Sequence, residues 1–256
     1  MVLAIGLGQR ILLWPAIWLF PGKRRRMVRA WLRFHARSTL AMARGLANVR
    51  ISVRGAIPPE SCIVVMNHQS VLDIPIGLRL VPGPYPLIPT RDRYQWGVPG
   101  ISPLARLARY PFVSQKRVLS RSELSALTGA AEQVSRGEQS LLIFPEGHRS
   151  RDGGLGRFMR SGLRIILSRA ERPVYCVAVH GMVNARTFAD GLANFSDLDI
   201  RIAISDPITP PAQESDEGTI DAFIDSLRQR MAGMLAELDD QSRTGSTSAA
   251  KLVAHN

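Results

Sequence analysis

The 256-residue sequence predicts an α/β fold: a single mixed sheet flanked by helices, with an N-terminal amphipathic, membrane-associating helical segment ahead of it. Two observations lead there. Short apolar runs of buried-strand character, 62–66 (CIVVM), 140–144 (SLLIF) and 174–179 (VYCVAV), alternate with stretches of helical periodicity. Charge is also unevenly placed. Of the 33 Lys and Arg, ten lie in residues 1–50, which hold no Asp or Glu, so the remainder carries 23 basic against 21 acidic side chains. The length suits one domain plus an appendage. The predicted organisation is a basic segment at 1–49, a body at 50–239 and a flexible tail at 240–256.

Taken in order, residues 2–20 are apolar but interrupted by Gln9, Arg10 and Pro15. A spanning helix wants about 20 apolar residues, and an Arg at mid-span costs roughly 2.5–3.5 kcal/mol. The stretch therefore suits shallow insertion, with Trp14 and Trp18 at headgroup level. A cleaved signal peptide fits poorly, because the cluster Lys23-Arg24-Arg25-Arg26 follows the apolar run instead of preceding it. That cluster would hold its side in the cytoplasm. Residues 24–47 have helical periodicity, with Arg26, Arg29, Arg33, Arg37 and Arg44 on one face. Met27, Val28, Trp31, Leu32, Phe34, Met42 and Leu46 lie roughly opposite. This pattern describes an interfacial helix on an anionic membrane surface. Nucleic acid is not an expected partner, since the aromatics lie opposite the arginines and not among them.

In the body, 51–53 is a short strand and 62–66 a buried one. A helix follows over 70–80, with Pro75 near its start or kinking it. Residues 82–111 are rich in Pro and Gly and read as loop with short helical pieces, long enough to suggest a binding role. A short strand at 112–113 precedes a helix over 120–136, capped by Ser120 or Ser122. The strand 140–144, a helix over 158–170 and the strand 174–179 come next. The strand 198–204 alternates and has one wet face. The last helix, 219–238, carries Phe223, Ile224, Leu227, Met231, Leu235 and Leu238 on one side. Cys62 and Cys176 sit far apart in apolar runs and read as reduced core residues of a cytosolic environment. No Cys/His spacing suits a metal, and no GxSxG elbow is present.

Two loops after buried strands carry candidate chemistry. In the first, Asn67-His68-Gln69-Ser70-Val71-Leu72-Asp73 follows the strand 62–66. The imidazole is the side chain that exchanges protons near neutral pH, and a strand end in an α/β sheet is where ligands bind. Asp73 reaches back to orient His68 only if a turn intervenes, because residues five apart do not share a straight helix face. Asn67 reads as a cap or as a site residue. In the second, Pro145 and Gly147 force a tight turn after the strand 140–144, which presents Glu146, Arg149 and Arg151 together. Arginine there suits bidentate contact with phosphate or carboxylate.

Together, NHQSVLD and FPEGHRS about 70 residues later resemble the NHxxxxD and FPEGTRS blocks of the 1-acylglycerol-3-phosphate acyltransferase family. Phe112-Val113-Ser114-Gln115 is similar to its FVxR element, 158–162 (FMRSG) to its FKxG element, and 172–179 (RPVYCVAV) to its xPVxPVAI strand. The similarity covers about residues 50–205. It implies a direct acyl transfer in which His68, oriented by Asp73, takes the proton of an acceptor hydroxyl that attacks the thioester of acyl-CoA or acyl carrier protein. No bound cofactor and no metal are implied. Asn67, Lys116, Arg117, Glu146, Gly147 and Arg149 would hold a lysophospholipid acceptor, most simply 1-acyl-sn-glycerol 3-phosphate, and the product would be phosphatidic acid. The implied location is the cytoplasmic face of a membrane, the inner one in a bacterium, held by a monotopic or single N-terminal anchor. Two departures bear on the acceptor: His148 stands in place of Thr, and Gln115 in place of Arg. They keep another lysolipid, such as lyso-ornithine lipid, as an alternative. Hydrolysis of acyl-CoA, or membrane binding without catalysis, are the other readings.

Overall fold

The computed structural model describes residues 7–98, 100–114, 118–185 and 195–253, and the side chains among them up to 242. A π-helical turn, Gln9–Leu13, runs into helix α1 (Trp14–Leu19). Pro15 falls in the first turn of α1, where a missing N–H goes unnoticed. A 3₁₀ turn, Pro21–Lys23, leads into α2 (Arg24–Ala47), which ends on Asn48 in the left-handed conformation with φ 49°.

The apolar side of α2 is not the single membrane-facing surface that the periodicity suggests. Val28, Leu32, Ala36 and Leu40, each four residues apart, are buried. This stripe packs α2 against α3 (Asp73–Leu80), because a row at spacing four is what a neighbouring helix covers. Phe34, Met42 and Leu46 remain exposed. The arginines are divided likewise. Arg24 donates to the Leu107 carbonyl at 2.6 Å, Arg25 pairs with Glu138 at 2.7 Å, and Arg33 donates to the Pro82 and Gly83 carbonyls.

The body is built on one six-stranded sheet in the order β1-β8-β7-β2-β6-β3. Its strands are β1 (Arg50–Arg54), β2 (Ile63–Met66), β3 (Pro86–Leu87), β6 (Ser140–Ile143), β7 (Val174–His180) and β8 (Asp199–Ile204). Only β7 and β8 pair antiparallel; the other neighbours are parallel, so the sheet is mixed. The central strands β2 and β6 are buried at every residue, as parallel strands covered on both faces must be. Cys62 and Cys176 are buried and unpaired in this core.

Between β3 and β6 the long Pro/Gly-rich segment forms more regular structure than its composition suggests. It holds β4 (Thr90–Arg91), a 3₁₀ turn at Asp92–Tyr94 and α4 (Ile101–Leu107). Strand β4 pairs in parallel with β5 (Phe112–Val113) as a separate two-stranded sheet. Helix α5 (Arg121–Ser135) opens with a capping box in which Ser120 and Glu123 satisfy each other's backbone N–H.

Helix α6 (Arg160–Leu167) is shorter than the periodicity of 158–170 suggests, and α7 (Glu217–Val253) is longer than 219–238. The expected loose tail from residue 240 is helical backbone as far as Val253, and 254–256 lie outside the described residues. Apolar periodicity marks only the part of a helix that has something to pack on. Here it ends at Leu238, the last buried position of that stripe.

Candidate active site

Strands β2 and β6 are parallel neighbours, so the loops that leave their C-terminal ends emerge at one edge of the sheet. The β2 loop carries His68 and the β6 loop carries Glu146. Within the β2 loop the chain turns as the His–Asp spacing requires. Asp73, wholly buried, accepts through one oxygen from the N–H groups of Gln69 at 2.6 Å and Ser70 at 2.7 Å. The same oxygen lies 2.7 Å from Nδ1 of His68. A carboxylate against Nδ1 fixes the ring and leaves Nε2 as the free nitrogen. The imidazole also stacks on Phe144, ring centres 4.3 Å apart, so its plane is held from a second direction.

The two loops are tied to each other by backbone. The His68 N–H donates to Oε1 of Glu146 at 2.9 Å, and the Ser150 N–H donates to the His68 carbonyl at 2.6 Å. Oε2 of Glu146 accepts from the Gly156 N–H at 2.8 Å. Glu146 is thus buried with both oxygens engaged on main chain, bracing His68 from behind. Burial pushes its carboxyl above the ordinary range, opposed by the amides of His68 and Gly156. A Cβ on residue 156 would stand 2.7 Å from Oε2 and displace this carboxylate.

Gly147 adopts φ 68°, a left-handed turn that turns its carbonyl to Arg91. The Arg91 guanidinium donates to that carbonyl through Nε at 3.1 Å and Nη2 at 2.6 Å. Arg91 gives no signal in the sequence, because the β4–β5 pairing brings it to the site. Asn67 is bound on both sides of its amide to one residue of β7. It donates to the Val179 carbonyl at 2.9 Å and accepts from the Val179 N–H at 2.7 Å. Both halves of its amide are therefore engaged by the sheet. Lys116 and Arg117, with Gln115, lie outside the described residues.

His68 opens onto a cavity of about 1730 Å³. Its lining combines cationic and polar side chains, among them Arg91, Arg149, Arg151, Arg157 and His148, with apolar ones such as Leu72, Leu78, Leu104, Val113, Ile143 and Phe158. His148 is exposed at this cavity. Of the aromatic residues in the 82–111 segment, Tyr94 and Tyr110 line the cavity, whereas Tyr85 is buried and donates to the Ala108 carbonyl at 3.4 Å.

The family model described as Acyltransferase matches residues 48–180, a little over half the chain and the part that holds both loops. Human 1-acyl-sn-glycerol-3-phosphate acyltransferase alpha is 24% identical over 203 residues, covering 78% of this chain and 69% of that protein. The chloroplastic 1-acyl-sn-glycerol-3-phosphate acyltransferase BAT2 of Brassica napus is 33% identical over 148 residues, 57% of this chain and 40% of that one. The crystal structure of the 1-acyl-sn-glycerophosphate acyltransferase PlsC from Thermotoga maritima superposes with a TM-score of 0.63 at 20% identity, covering 93% and 95% of the two chains, so the fold is shared. Fold, paired loops and relatives agree, and this chain belongs to the acyltransferase family of the 1-acyl-sn-glycerol-3-phosphate acyltransferases.

Proposed function

We propose that the protein transfers a fatty acyl group from acyl-CoA or acyl carrier protein to the free hydroxyl of a lysophospholipid, in the first place 1-acyl-sn-glycerol 3-phosphate, giving phosphatidic acid. The observation that carries this reading is the Nδ1–Asp73 contact of His68 in a cavity lined by both arginines and apolar side chains. A lysophospholipid needs both: arginines for its headgroup and apolar room for its chain.

In this mechanism Nε2 of His68 takes the proton of the acceptor hydroxyl as its oxygen attacks the thioester carbonyl. The new C–O bond forms, the C–S bond breaks, and the thiolate leaves and recovers the proton from the imidazolium. Asp73 stabilises the imidazolium while it exists. Glu146 serves as a brace for the His68 backbone, and Arg149, with Lys116 and Arg117, as the headgroup contacts.

The site would work at the cytoplasmic face of a membrane. No helix among the described residues is long and apolar enough to cross one. Trp18 is 82% exposed, with Trp14, Leu19 and Phe20 also exposed beside the arginines of α2, which supports monotopic attachment through the N-terminal segment.

One second reading, an acceptor other than a phosphate monoester, rests on His148 standing at this cavity where the resembled motif carries Thr. Acylation of a panel of lysophosphatidate, glycerol 3-phosphate, lysophosphatidylglycerol and lyso-ornithine lipid, with acyl-CoA and acyl carrier protein as separate donors, tests both. Selective use of lysophosphatidate is expected. Preference for a lysolipid without a phosphate monoester would move the acceptor while leaving His68 and Asp73 in place.

A further inference from the structure

A second, smaller pocket lies where α2 crosses the end of α3. Its volume is about 110 Å³, well above what one water needs. Three arginines line it, Arg33 and Arg37 from α2 and Arg79 from the last turn of α3, together with Ala36, Leu78, Val81 and Pro82; the charges of Arg37 and Arg79 both act on the Arg33 guanidinium. We propose that this pocket binds a phosphate group, at a site separate from the cavity of His68.

The first argument is uncompensated charge. Arg33 and Arg37 are one helical turn apart, an arrangement that is destabilising for like charges. The first 50 residues contain no acid to relieve it. Burial, and after it the charges of Arg29, Arg37 and Arg79, push the Arg33 guanidinium below its ordinary range. No carboxylate is among the groups acting on it. By contrast, Arg160 and Arg164 both meet a carboxylate, Asp221, at 2.9 Å and 2.5 Å. Among the described residues Arg37 and Arg79 have no such partner.

Geometry supplies the second argument. Arg33 is anchored, its Nη2 donating to the carbonyls of Pro82 and Gly83, the latter at 2.8 Å. Its remaining N–H groups are left for a ligand. A carboxylate satisfies one guanidinium fork, whereas three guanidinia around one small space match the several oxygens of a tetrahedral phosphate. Position gives the third argument. Ala36 and Leu78 line both this pocket and the large cavity, so the two share one apolar wall. A phosphate on an apolar chain, as in an anionic membrane lipid, and free phosphate are the two sources of the group.

The test uses the full chain and reads binding, so it does not depend on the acyl-transfer reading; acylation of a detergent-solubilised acceptor reports the His68 site independently. The variant is R37A/R79A, in which both residues are exposed and Arg33 keeps its backbone contacts. R37Q/R79Q repeats it with longer side chains retained. R26A/R44A removes the same charge from exposed positions of α2 outside the pocket. Inorganic phosphate is titrated by calorimetry, and phosphatidylcholine vesicles with and without phosphatidylglycerol are titrated by co-sedimentation. R37A/R79A is expected to lose roughly tenfold or more in affinity for the phosphate group, well beyond R26A/R44A. A selective loss with the anionic vesicles assigns the group to a lipid headgroup; a selective loss with inorganic phosphate alone assigns it to a solute. Equal behaviour of R37A/R79A and R26A/R44A in both titrations overturns the site.

Discussion

One oxygen of Asp73 lies 2.7 Å from Nδ1 of His68 and also accepts the N–H groups of Gln69 and Ser70. The same atom therefore shapes the loop and sets the ring. Asp73→Asn keeps the volume but offers a weaker acceptor, or an NH₂, to three donors. Under the proposed role kcat should fall roughly 10⁴-fold, the scale seen when an orienting carboxylate is removed from an imidazole base, with KM little changed. His68→Ala should abolish transfer and leave vesicle binding intact. Turnover retained in His68→Ala would remove the base assignment.

Glu146 accepts two backbone N–H groups with its two oxygens, one from each flank of the site. Glutamine has one carbonyl oxygen for those two donors, so one amide must face an NH₂. Glu146→Gln is expected to cost about 1–3 kcal/mol of stability and to lower kcat by displacing His68. Gly156→Ala presses a Cβ onto the same carboxylate and should lower kcat in the same way. Thermal unfolding alongside acyl-transfer kinetics checks both. A rise in acceptor KM with kcat and stability unchanged would instead make Glu146 a substrate contact.

Asn67 joins the end of β2 to Val179 of β7 through both halves of its amide. Asn67→Ala leaves a buried N–H and a buried carbonyl unpaired, each worth about 1–3 kcal/mol. Urea unfolding should show that loss, with the acceptor KM of the folded fraction unchanged. A KM defect without loss of stability would make Asn67 a substrate contact.

How much of this was legible in the sequence follows from distance along the chain. The His68–Asp73 turn is local, and the apolar runs of β2, β6 and β7 announce buried parallel strands, so both loops fall at one sheet edge by inference alone. The partners of Asn67 and Arg91 are 112 and 56 residues away, and no periodicity encodes them. Strands β3 and β4 have two residues each, too short for an alternating pattern to show inside a Pro/Gly-rich segment. Helix α2 was legible as a helix, but sequence shows only which residues are apolar. It does not show that a second helix takes Val28, Leu32, Ala36 and Leu40 and leaves Phe34, Met42 and Leu46 outside.

Glu123 makes the last prediction, which concerns pH. Its Oε2 accepts from the Ser120 N–H at 2.7 Å, its Oε1 accepts from the Ser114 N–H, and its own N–H donates to Ser120 Oγ at 3.3 Å. Hydrogen bonding, from Ser120 first and then Ser114, holds the carboxyl down at about 2, against an ordinary 4.5. A carboxyl depressed in the folded state binds its proton more readily once unfolded. Its contribution is therefore complete above pH 4.5 and is lost as the pH falls toward 2. Glu123→Gln keeps the shape of the cap and removes that titration. Near neutral pH the variant should be less stable by about 1 kcal/mol, the usual scale for a helix cap. The gap between the two proteins should then close as the pH drops through the window. Asp221, also held at about 2 through Arg164, titrates in both proteins and cancels in the difference. Urea midpoints measured from neutral pH into that window decide it: a gap that stays constant with pH would mean that the Glu123 charge adds nothing and that only its shape holds the cap.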